Sequence, residues 1–280
     1  MAFPTVAART AGEVNTNQAS HSIALGSPSA GDLLIAVVNF DGVPSVIIDT
    51  AASGFGWHYF GPEPGQSNAH TSAIYWKVAA GGGADVLTLI ITSATTEKSR
   101  SVCYRITGHA NAVYATSAEG SSTNGDPPNQ AITGSAQDVL WIAALTNDAQ
   151  VVASAAPGSY GSLNTYAATA SDGCSISTAE RDLNANAENP GAFTNTTEQW
   201  IAWTIAVPST AITTHTRASQ IASETLSQSD PKLRASQIVA EVLSANDLDM
   251  IVSQVVVEML SENVPDDVGG VQLSQLITAT

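Results

Sequence analysis

Short β-type runs, divided by Gly, Pro, Asn or Ser, punctuate positions 1–208 in two series. They fall in Val14–Leu25, Gly31–Phe40, Ser45–Asp49, Thr71–Val78, Asp85–Thr92, Ser99–Ile106, Asp138–Leu145, Ser175–Leu183 and Thr196–Val207. Runs of this length, rich in Val, Ile and aromatic residues and closed by turn formers, predict the strands of a sandwich. Gln199–Val207 is apolar on both faces, with Trp200 and Trp203 pointing opposite ways, so it is expected in the middle of its sheet. After Pro208 the core pattern is lost, and 209–216 is read as a linker.

The two halves of this region echo each other. Gly-Asp-Leu-Leu-Ile-Ala-Val at 31–37 matches Gln-Asp-Val-Leu-Trp-Ile-Ala-Ala at 137–144, an offset of 106. Thr95-Thr-Glu97, before Val102-Cys-Tyr-Arg-Ile106, matches Thr196-Thr-Glu198, before Ile201-Ala-Trp-Thr-Ile205, an offset of 101. The expected fold is therefore all-β: a jelly-roll-like antiparallel sandwich over 1–208, built from two similar halves.

Residues 217–280 follow another pattern. Three copies of one motif start at Arg217, Arg234 and Ile251, 17 residues apart, and a partial copy covers 272–277. The copies, at 217–227, 234–244 and 251–261, share Ser219, Gln220, Glu224 and Leu226; Ser236, Gln237, Glu241 and Leu243; Ser253, Gln254, Glu258 and Leu260. The run Val255-Val-Val257 suits a pleated strand better than a helix. The helical reading stays open, because Ile238 and Val242, or Val239 and Leu243, are also partners at a spacing of four. In either form a unit this small buries its apolar side only against another copy, the main domain or another chain, which marks an element for assembly or docking.

Composition narrows the partners. The chain carries 25 acids against 9 bases, a net charge of −16, and only 12% charged residues. Phosphate binding needs clustered Lys and Arg, so nucleic acid is not an expected partner. A polybasic membrane patch and an apolar run of spanning length are both missing from the sequence, so no membrane partner is expected either. The start, Met-Ala-Phe-Pro-Thr-Val, has neither a basic nor an apolar leader region, and cytoplasmic synthesis without a signal peptide is expected. Cys103 and Cys174 read as two buried thiols.

Candidate chemistry is sparse. The five histidines form no metal-ligand spacing, Asp126 and Asn147-Asp148 match no calcium loop, and neither a glycosidase carboxylate pair nor a serine elbow is present. No catalytic residue, metal ligand or cofactor is predicted, and the chain is not expected to be an enzyme. Glu97 and Glu198 read as equivalent turn positions. Trp57, Tyr59, Tyr160 and Tyr166 lie near Gly-rich loops, where aromatic rings either pack the sandwich rim or stack on sugar rings.

Several segments together resemble a β-sandwich module of tailed-phage structural proteins. They are Pro4-Thr-Val, Ala30-Gly-Asp-Leu-Leu-Ile35, Tyr75-Trp-Lys-Val78, Tyr104-Arg-Ile-Thr-Gly108, Leu140-Trp-Ile-Ala143, Glu180-Arg-Asp-Leu183, Pro190-Gly-Ala-Phe and Glu198-Gln-Trp200. The tail resembles the Arg-Val-Ser-Gln-type repeats attached to such modules, with Ile251 standing where the other copies have Arg. The resemblance implies a virion structural protein without catalytic residues: a homo-oligomeric tail or head appendage, trimer favoured, or a capsid-decorating protein. Its partners would be itself, other capsid or tail proteins and a host-surface glycan. A carbohydrate-binding module is the alternative of another class.

Overall fold

The computed structural model describes residues 2–64, 69–83, 85–93, 95–169 and 173–210, together with 237–238 and 256–257. The first half carries β1 (Thr5–Gln18), β2 (Ser20–Ile23), β3 (Leu33–Asp41), β4 (Val46–Ile48), the one-turn helix α1 (Thr50–Ser53), β5 (His58–Pro64), β6 (His70–Val78), β7 (Leu87–Ile91) and β8 (Glu97–Thr107). The second half carries β9 (Tyr114–Gly120), β10 (Asn124–Gly125), β11 (Gln130–Ala131), β12 (Gln137–Asn147), β13 (Gly161–Ala167), β14 (Ser175–Ala185), β15 (Ala187–Glu188), β16 (Phe193–Thr194) and β17 (Trp200–Pro208).

Each half builds its own five-stranded antiparallel sheet. The orders are β1-β8-β3-β6-β5 and β9-β17-β12-β14-β13. Numbered along each half, the five long strands lie first-fifth-second-fourth-third in both. The all-β sandwich expected from the sequence is present, and its two sheets are copies of one strand order that do not exchange strands.

Strand alternation sorts the core into three layers. Leu33, Ile35, Val37, Val102, Tyr104 and Ile106 of the first sheet meet Leu140, Ile142, Ala144, Trp203, Ile205 and Val207 of the second. The opposite face of the first sheet, including Leu34, Ala36, Val38, Phe40 and Tyr75, is covered by the three-stranded sheet β2-β7-β4 through Ile23, Leu87, Leu89 and Ile91. The opposite face of the second sheet, including Val139, Trp141, Ala143 and Ala202, is covered by Ile132, Ala153 and Tyr160 from loops and by Phe193 of β16. Both sheets are thus buried on both faces, which explains why β3, β12 and β17 read as unbroken apolar runs rather than alternating ones. Trp203 lies in the central layer and Trp200 in the outer one, as their opposite parity requires.

The layers also correct the alignment of the halves. An offset of 106 would set Leu33, which faces the other sheet, onto Val139, which faces away. Only an odd offset preserves facing, and 107 sets Leu33-Leu-Ile-Ala-Val37 on Leu140-Trp-Ile-Ala-Ala144. The offset of 101 for the last strand keeps Val102, Tyr104 and Ile106 on Trp203, Ile205 and Val207. Under this alignment Asp41 corresponds to Asp148, and Glu97 to Glu198.

Polar side chains pin the two sheets together inside the apolar layer. The Trp203 indole N–H donates to Ser72 Oγ (2.9 Å), and Tyr104 Oη donates to Thr178 Oγ1 (2.6 Å). Asn39 Nδ2 donates to the Asn147 and Ser175 carbonyls (2.9 and 3.0 Å). At the β1 edge, Arg9 makes a two-pronged ion pair with Glu180 and lies 5.6 Å from the Tyr104 ring centre. Each bond needs one relative placement of the sheets, so together they select one packing from the many an apolar layer alone would allow. Cys103 and Cys174 are both free and buried.

The chain divides after Ala211. In the following unit, Ile212–Thr280, β18 (Gln237–Ile238) pairs antiparallel with β19 (Val256–Val257), Gln237 opposite Val257 and Ile238 opposite Val256. This pairing joins the second and third copies of the repeat. The other shared repeat positions, from Ser219 to Leu260, lie outside the described residues.

Candidate functional site

Two regions of the sandwich gather chemistry-bearing side chains. The first is the β5 edge of the first sheet. α1 begins at Asp49, whose carboxylate accepts from the Ala51 and Ala52 N–H groups, and ends at Gly54, whose φ of 69° lies in the left-handed region. Its Ser53 is buried and bonded to the Thr88 backbone, donating to the carbonyl and accepting from the N–H. The chain then runs Phe55-Gly-Trp57 into β5, which pairs His58 with Trp76, Tyr59 with Tyr75 and Phe60 with Ile74. Pro62 and Pro64 cannot donate to a ladder, which fits β5 to an edge position.

Alternation splits the aromatic residues between the two faces. His58 stacks on Trp76 with ring centres 4.3 Å apart, and Phe60 packs on the central layer. Trp57 packs on the outer layer, and Tyr59 lies 6.2 Å from Tyr75 of that layer. The Trp57 indole N–H donates to the Val86 carbonyl (2.9 Å), and Lys77 Nζ sits 5.9 Å from its ring centre. Lys77 also pairs with Asp85 at 3.1 Å. Burial would raise the Asp85 carboxyl, but the Ala80 and Gly81 N–H donors and Lys77 outweigh it and hold the group below its ordinary range. Tyr59 remains 57% exposed and Phe55 88%.

Of the four aromatics singled out from the sequence, Trp57 and Tyr59 come together here. Tyr160 and Tyr166 do not join them. Tyr160 is buried in the outer layer of the second sheet, so its ring is not available for stacking on a ligand, and Tyr166, on β13, packs against the central layer. Phe55, the most exposed ring of the group, was not among the sequence candidates. It sits between Gly54 and Gly56 with no apolar neighbour in sequence to bury against, and that isolation is the signal that could have found it.

The second region is one end of the sandwich. Asp41, at the end of β3, and Asp148, just past β12, line a cavity of about 450 Å³ with Ala149, Gln150, Val151 and Gly173. Burial, then Asp41, then Glu198 push the Asp148 carboxyl up to about 6. Burial and Asp41 likewise raise Glu97. The four acids are the two equivalent pairs of the duplicated halves, so the gathering follows from the fold's symmetry. His70, opposite Asp41 on β6, is fully buried and kept neutral, its pKa lowered by burial to about 4. Of the residues weighed for calcium, Asp126 is exposed, and Asn147 turns its amide to the Val151 carbonyl. Among the described residues, no group of three or more His, Cys, Asp and Glu side chains is placed to hold a metal ion.

In comparisons with known proteins, no family model, no curated protein and no solved structure matches the chain.

Proposed function

We propose that this chain is a bacteriophage virion structural protein, a multimeric appendage of tail or head in which the sandwich is presented and the C-terminal repeats mediate assembly or docking. The observation that carries the reading is the 17-residue tandem repeat that follows a separately cored sandwich. A sandwich whose central strands are covered on both faces needs no repeat to complete its core. The repeats, in contrast, are short units with apolar positions at fixed spacing, and such units gain stability by stacking on copies of themselves or on a partner. The pairing of β18 with β19 across two successive copies fits that use.

The test is direct. Antibodies against the sandwich, applied to purified particles from cells expressing the chain, should label one defined part of the particle in electron micrographs. Particles free of the label and of the chain's peptides in mass spectra would refute the proposal.

A further inference from the structure

We infer that Phe55, Trp57 and Tyr59 form a binding strip for a neutral oligosaccharide chain on the edge of the first sheet. The three rings recur at every second residue; Trp57 and Tyr59, at the start of β5, fall on the same, outer side, and Phe55 follows the turn that closes α1. Their supports are rigid. Trp57 is held by its bond to the Val86 carbonyl and by the outer core, and Tyr59 by the ladder between β5 and β6. Phe55 hangs from a turn fixed by α1 and the Ser53–Thr88 bonds. Rings positioned in this way lose little freedom when a ligand covers them.

The surroundings favour a sugar over an apolar peptide. Gly54 and Gly56 flank Phe55, so neither neighbour in sequence adds a side chain beside that ring. Phe55 and Tyr59 stand exposed as separate rings, with the half-buried Trp57 between them in sequence, whereas an apolar helix docks in a continuous groove. Pyranose rings offer flat C–H faces that stack on aromatic rings, and hydroxyls that can meet the Tyr59 hydroxyl. The charged pair beside Trp57, Lys77 and Asp85, is bonded at 3.1 Å, so the two charges offset each other there, which suits an uncharged glycan. The inference concerns the sandwich alone and does not depend on what the repeats do.

The test uses the full chain, fluorescently labelled, on an array of glucose-, galactose-, mannose- and N-acetylglucosamine-based hexasaccharides with sialylated hexasaccharides beside them. Binding to at least one neutral hexasaccharide is expected, followed by titration calorimetry with that sugar. Phe55→Ala and Tyr59→Ala should each weaken it by about tenfold, the loss expected for one stacking contact. Ile47→Ala, which removes an exposed apolar side chain on the neighbouring three-stranded sheet, should leave it unchanged. Thermal melts of all variants establish that the fold is kept. No binding to any neutral sugar at millimolar concentration would overturn the inference, as would equal affinity in Phe55→Ala and Tyr59→Ala. A change of oligomeric mass in those two variants without sugar binding would also overturn it and assign the strip to a protein contact.

Discussion

Removing the Trp203 ring should damage the sandwich more than any other single truncation at the seam between the sheets. The side chain is 1% exposed, packs in the central layer, and sends its N–H across to Ser72 of the other sheet. Trp203→Ala should cost about 4 kcal/mol, most of it lost packing and about 1 kcal/mol from leaving the Ser72 hydroxyl buried without its partner. Trp203→Phe keeps much of the packing and loses the donor, for about 2 kcal/mol, and Ser72→Ala should cost about 1–2 kcal/mol. If the hydrogen bond is a working link between the sheets, the double variant should cost about 1 kcal/mol less than the sum of the singles. Urea unfolding followed by far-ultraviolet circular dichroism at 218 nm reads the parent protein and the four variants without depending on tryptophan emission. A cost below about 1.5 kcal/mol for Trp203→Ala, or additivity within about 0.3 kcal/mol in the cycle, would refute this view of the seam.

Other expectations concern Asp148 and the packing beside Leu145. Asp148→Asn should stabilise the protein near pH 7.5, by about 1 kcal/mol once solvent screening is allowed for, and have little effect near pH 4. The Asp148 carboxyl is raised in the folded state, so folding favours its protonated form, and stability is lost as pH climbs through about 6. His70 acts in the opposite sense, losing stability as pH falls from about 6.5 through about 4, and comparing the two proteins at each pH cancels its part. Equal effects of the substitution at both pH values would refute the upward shift of the Asp148 carboxyl by burial, Asp41 and Glu198. Gly125→Ala should cost about 1–3 kcal/mol in urea unfolding, because its Cβ would fall 2.2 Å from Leu145 Cδ1, whereas Gly158→Ala, with nothing within 4 Å, should stay within about 0.5 kcal/mol.

The strands buried on both faces were legible in the sequence because an unbroken run such as Leu33–Phe40 or Trp200–Val207 has few other places to go. The edge strands were not. β1 runs Thr-Val-Ala-Ala-Arg-Thr-Ala-Gly, half-exposed throughout, so its alternation is too shallow to separate it from a loop. β5 carries two prolines and a glycine and reads as a turn until β6 pairs with it. The echo between the halves was visible, but composition alone could not distinguish offsets of 106 and 107, because adjacent positions in doubly buried strands are apolar on either register. Facing resolved it, and with it the correspondence of Asp41 with Asp148. The candidate strip was half legible. Trp57 and Tyr59 were singled out, but Tyr160 and Tyr166 were grouped with them because nearness to glycine-rich loops does not reveal which rings turn inward.

The division of labour between sandwich and repeats is tested most directly by molar mass in solution. Light scattering on the full chain, on the Val256→Pro variant and on a chain ending at Ala211 should give a closed oligomer for the first and monomers for the other two. Val256 sits opposite Ile238 in the pairing of two repeats, and proline there removes a backbone donor and restricts the strand. Oligomers of equal size in all three would place the self-contact in the sandwich and contradict the proposed role of the repeats.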